Sequence, residues 1–161
     1  MFISIEVPYA AARVVTAEIA AWGGRGAETG GFLLCPQDDK RVAKVALTGA
    51  QGIRRARGEF AVSGKAMSKL FAYAEERGLS VRVQFHSHGR AAFLSRTDLT
   101  HGFSVKGFVT TVIPHFAAPP EDPKEWGWWM YMGDWKEIKA PRLVDDNAGI
   151  LRFDEEGARE S

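Results

Sequence analysis

Residues 81–99 read VRVQFHSHGRAAFLSRTDL, and this stretch decides how the rest of the chain is read. Its first five residues alternate apolar and polar, as a strand does. Side chains at i and i+2 of a strand share one face, so His86 and His88 leave the strand end side by side. Neutral imidazoles so placed can share one metal ion. A third oxygen or nitrogen ligand would complete a site that keeps one position open. Asp98, one helical turn into the next element, is the candidate third ligand. Ser95-x-x-Asp98 is also a helix-capping pattern, with Ser95 as N-cap and Leu94 and Leu99 as a flanking staple. The two readings are compatible, because a capping serine fixes the angle at which Asp98 leaves the helix.

Upstream, residues 27–35 read as a strand that begins near Glu28. Gly30-Gly31 within it permits close approach of another backbone. A carboxylate at a strand end is usually no more than a solvated charge, and a lone His-x-His is common. Together the pieces are far more specific. Glu28-Thr29-Gly30-Gly31-Phe32-Leu33-Leu34, His86-Ser87-His88 and Ser95-Arg96-Thr97-Asp98 resemble the JAMM metalloprotease family (JAB or MPN-plus), in its prokaryotic JAB form. Gly89 stands where that family usually has proline, and the spacer before Ser95 is short.

The resemblance implies a zinc ion held by His86, His88 and Asp98, with Glu28 as general base and Ser95 as donor to the oxyanion. It also implies hydrolysis of a peptide or isopeptide bond after the C-terminal tail of a ubiquitin-like protein. Activating and conjugating enzymes of the same pathway are then expected partners. Three rivals stand beside this reading. One is a nucleic-acid protein of the family's DNA-repair-associated branch, which would need a basic groove that the balanced charge does not suggest. A metal-free MPN module would only bind partners, and a non-haem iron enzyme would use the same two histidines and one carboxylate.

The 161 residues suit one domain, expected over 1–153, with 154–161 a polar, unstructured tail. A net charge of +1 gives no polyanion signature, so nucleic acid is not an expected partner. The single cysteine, Cys35, excludes an intramolecular disulfide framework and fits a reducing compartment. No signal peptide and no bilayer-length apolar run are read in the chain, so no membrane partner and a cytoplasmic location are expected.

Residues 2–7 alternate as an edge strand, and Pro8 suits the first position of a helix. Ala11, Val15, Ile19 and Trp22 then give that helix one apolar face, stopped by Gly23, Gly24 and Gly26. Residues 42–48 pair back as a hairpin partner. Residues 49–58, with Arg54, Arg55 and Arg57, read as a basic surface loop, which the resemblance makes a candidate substrate contact. Ser63-Gly64 opens a second helix with Met67, Leu70, Phe71 and Ala74 on one face. Residues 107–113 form a buried strand. Residues 126–135 alternate with Trp126, Trp128, Met130 and Met132 on one side, and residues 149–153 add a short strand. The expected class is α+β: a curved, mixed and largely antiparallel sheet flanked by helices. The resemblance gives it an MPN/JAB-like, cytidine-deaminase-like layering.

Overall fold

The alternation ahead of the two histidines does form a strand, β6 (Leu79–Ser87), and it lies inside the main sheet. The structure, a computed structural model, describes residues 5–95 and 103–161. Ahead of β6 come β1 (Glu6–Pro8), α1 (Tyr9–Gly23), β2 (Gly30–Pro36), β3 (Lys44–Thr48), β4 (Ile53–Ala56), β5 (Glu59–Val62) and α2 (Gly64–Glu76). After it come β7 (Val109–Ile113), a 3₁₀ turn (Pro123–Glu125), β8 (Gly127–Tyr131) and β9 (Trp135–Glu137). The last strands are β10 (Arg142–Val144), β11 (Gly149–Asp154) and β12 (Gly157–Glu160).

Among the described residues the main sheet has eight strands, ordered β12-β11-β3-β2-β6-β7-β8-β9. The β3–β11 and β6–β7 pairs are parallel and the others antiparallel. The class is therefore α+β with a mixed sheet, as the element order implied. Period-two alternation along the strands divides the core between the two faces. Leu33, Val45, Val83 and Phe85 pack with Ala11, Val15 and Ile19 of α1. Phe32, Leu34, Ala46, Leu151 and Phe153 pack with Met67, Leu70 and Ala74 of α2. No helix among the described residues is long and apolar enough to cross a membrane.

Several expectations need correction. Pro8 sits at the N-cap rather than at the first helical position, and the helix begins at Tyr9. Ser63 caps α2 as read, accepting from the Ala66 N–H at 3.1 Å, but Phe71 faces solvent rather than the core. The aromatic run is two strands, β8 and β9, joined by a turn at Gly133 (φ 90°), so Met132 lies beyond the buried stripe of Trp126, Trp128 and Met130. The 154–161 segment is not an unstructured tail. Asp154 ends β11 and β12 pairs back on it, with Leu151 opposite Glu160. Its polar composition hid a strand because edge strands keep polar side chains as a defence against further pairing.

Candidate functional site

Backbone pairing brings the first pieces of the site together. Gly30 of β2 is paired with His86 of β6, and Gly31 with Phe85. The glycines are required by crowding. A Cβ on Gly30 would stand 2.4 Å from the Phe85 carbonyl oxygen and 2.6 Å from the Phe60 ring. One on Gly31 would stand 2.3 Å from the Ala46 carbonyl oxygen and 2.7 Å from the Phe85 ring.

Ser87 points to the opposite face from the histidines and ties β6 to the residue after Glu28. The Thr29 N–H donates to Ser87 Oγ at 3.0 Å, and the Ser87 N–H donates to the Thr29 carbonyl at 2.9 Å. Glu28 itself donates its N–H to the Ala56 carbonyl at 3.0 Å. Its carboxylate is thus placed by hydrogen bonds on both sides, just before β2 starts rather than within it.

His86 and His88 lie with ring centres 5.2 Å apart and planes inclined at 57°. Both are buried, at 4% and 6% exposure, and Glu28 is at 6%. Beyond β6 the chain is held by its parallel neighbour. The His88 N–H donates to the Ile113 carbonyl at 2.9 Å, and the Phe116 N–H donates to the His88 carbonyl at 3.1 Å. The Phe93 ring stands edge-on to His88 at 4.7 Å. Glu28, His88 and Ser95 all line one cavity of about 430 Å³, and the His86 ring lies beside that of His88. Asp98 and the helix read from Ser95 onward lie outside the described residues. Among the described residues no group of three His, Cys, Asp or Glu side chains is assembled.

The basic loop resolves differently from its reading. Residues 53–62 are a β-hairpin, and alternation along β4 sends Arg54 and Arg55 to opposite sides. Arg54 is exposed and pairs with Glu59 at 2.6 Å. Arg55 turns inward. Its Nε donates to Thr29 Oγ1 at 2.9 Å, one terminal nitrogen donates to the Thr48 carbonyl at 2.8 Å, and its guanidinium lies 4.2 Å from the Trp22 ring centre. Burial lowers its pKa from the ordinary arginine value, against the opposing pull of Glu18. Arg55 therefore positions Thr29, and through it Glu28. Of the three arginines, Arg57 in the hairpin turn lines the cavity.

The hairpin is anchored at its base by β11. Asp154 accepts from the Ala50 N–H at 3.0 Å and the Glu156 N–H at 2.9 Å, and pairs with Arg159 at 3.4 Å. Burial would raise the Asp154 pKa, but those donors outweigh it and hold the carboxyl below its ordinary value. A depressed folded-state pKa means the stabilisation is complete above about pH 4 and is lost as pH falls through the folded value. Asp154→Asn is expected to cost about 1.5–3 kcal/mol at neutral pH, the range for hydrogen bonds to a charged group. Urea denaturation at about pH 7 and about pH 2 checks this, since the difference from the parent should narrow as the pH falls.

Cys35 is fully buried, and burial pushes its thiol up to about 12, which makes it inert packing rather than a nucleophile. The sequence reading missed Thr29 and Arg55 as positioning groups, and also missed Arg90, Phe93 and Phe116 as cavity walls. Thr29 lies inside the Glu28–Leu34 motif, but no local pattern of residue types marks any of the five for these roles.

No protein-family profile matches the sequence. Solved structures do match the fold. A JAB1/MPN domain protein from Archaeoglobus fulgidus superposes with a TM-score of 0.53 at 14% identity, covering 88% of this chain and 98% of that one. A protein from Desulfitobacterium hafniense gives 0.58 at 17% identity, covering 88% and 94%. One from Salinibacter ruber gives 0.50 at 24% identity, covering 89% and 94%. The architecture is that of the JAB/MPN domains. Within it, the chain carries Glu28, the histidine pair and Ser95 at one end of β2 and β6.

Proposed function

We propose that this chain is a zinc-dependent peptidase or isopeptidase that cleaves after the C-terminal tail of a ubiquitin-like protein. The observation that carries the reading is the convergence of Glu28, His88 and Ser95 on one cavity, with His86 packed beside His88. The donor set fits zinc. Two imidazoles on one tetrahedral ion, at Zn–N distances of about 2.0–2.1 Å, carry their ring centres about 5 Å apart. The 5.2 Å between His86 and His88 is compatible with that. Asp98 would be the third ligand.

When bound, zinc supplies Lewis acidity that brings the pKa of a water to about 7. The protein residues do the rest. Glu28, buried and fixed between Thr29 and Ala56, takes a proton on its carboxylate and returns it to the leaving amine. Ser95 Oγ–H donates to the oxyanion that develops at the attacked carbonyl. Phe93 and Phe116 give the cavity an apolar wall beside those groups.

The test is metal content together with cleavage. The purified chain should carry about one zinc per monomer, lost in His86→Ala, His88→Ala and Asp98→Ala. It should release a ubiquitin-like protein from a C-terminal fusion and leave unrelated peptides intact. Full zinc retention in all three variants places the metal elsewhere, and efficient cleavage of unrelated peptides leaves only a general peptidase.

A further inference from the structure

The cavity that holds Glu28, His88 and Ser95 is also lined by two arginines, Arg57 and Arg90. They arrive from separate parts of the fold. Arg57 sits in the turn between β4 and β5, close to Gly26 at the end of α1, where an added Cβ would lie 3.4 Å from its guanidinium. Arg90 is on the loop after β6, and its backbone is pinned because its carbonyl accepts from the His115 N–H at 2.9 Å. That His115 adopts φ 56°, a left-handed conformation uncommon for a side-chain-bearing residue, so the pinning turn is a specific one.

Arg57 and Arg90 are both exposed. Among the described residues neither belongs to any of the chain's ion pairs. Several other arginines are ion-paired, among them Arg54 with Glu59 at 2.6 Å, Arg152 with Glu18 at 2.7 Å and Arg41 with Glu6 at 3.0 Å. Two unmatched guanidinium groups on a concave, partly aromatic surface attract an anion, and a planar carboxylate suits their paired N–H geometry. Phe93, 52% exposed, offers an apolar wall beside them without competing donors.

We infer that Arg57 and Arg90 recognise a carboxylate on the substrate next to the bond that is cut. This inference rests on the peptidase reading above and narrows its substrate class. The tail or its extension carries either a free α-carboxylate close to the scissile bond or an acidic side chain there. Arg57 and Arg90 set specificity; they hold no reacting atom.

The experiment is a nuclear magnetic resonance titration of the isotope-labelled full chain, following the Gly58 and Gly89 amides. Three N-acetylated probes are compared: glycyl-glycine with a free carboxylate, glycyl-glutamate with an amidated C-terminus, and glycyl-glycinamide as the neutral control. At least one carboxylate probe should bind about tenfold tighter than the control at low salt, and the gap should narrow as salt rises. Whichever probe gains identifies the source of the carboxylate. The preference should disappear in the Arg57→Gln/Arg90→Gln double variant. Equal binding of all three probes, or a preference that survives in the double variant, overturns the inference. Hydrolysis of the fusion is measured on the same preparations. Preference without hydrolysis defeats the peptidase reading alone, and hydrolysis without preference defeats the arginine pair alone.

Discussion

Glu28→Gln is expected to lower kcat about 10²–10⁴-fold, the usual contribution of a positioned general acid–base, while fold and zinc content stay unchanged. The substitution keeps the shape of a side chain that is only 6% exposed, and the Glu28 N–H bond to Ala56 belongs to the backbone and survives. What disappears is the ability to accept and return a proton. KM should move little, because the lost interaction acts in the transition state rather than in substrate binding. Steady-state cleavage of the fusion, with thermal unfolding and metal analysis on the same sample, checks all three points. A Glu28→Gln protein that cleaves at the parent rate would remove Glu28 from the mechanism. Parallel loss of zinc would instead make it a ligand.

Gly31→Val is expected to destabilise the fold by about 3 kcal/mol or more, at or above the top of the usual range for overpacking a filled core. Its first added carbon would already stand 2.3 Å from the Ala46 carbonyl oxygen and 2.7 Å from the Phe85 ring. Neither neighbour can yield easily. Ala46 belongs to the paired strand β3, and Phe85 is fully buried on β6 directly opposite Gly31. Relief requires β2 to shift against both β3 and β6, and a shift against β6 displaces Glu28 from the histidines as well. Gly64→Ala is the matched control. An added Cβ there meets nothing within 4 Å, so a neutral change or a gain of about 0.4–1 kcal/mol is expected. Urea midpoints compare the two variants. An unchanged midpoint in Gly31→Val would mean that the strand contact yields more readily than its geometry implies.

The alternation of residues 81–85 determined by itself that His86 and His88 leave the strand end on one face, because strand alternation is local and needs no partner. Ser63 as a cap, the helical face of Ala11, Val15 and Ile19, and the tight packing at Gly30-Gly31 were legible for the same reason. Cap geometry, helical repeat and the absence of a side chain act within a few residues. The tertiary structure alone decided what surrounds those histidines. Arg54, Arg55 and Arg57 look like one basic run in sequence, but the hairpin splits them between solvent, the interior beneath Thr29, and the cavity. Arg90 and Phe116 join Arg57 there because the parallel β6–β7 pairing carries residues 88–90 past 113–116, bonding His88 to Ile113 and Phe116. Contacts of that kind form between segments far apart in the chain. They depend on which strands become neighbours in the sheet, and no local pattern of residue types records that order.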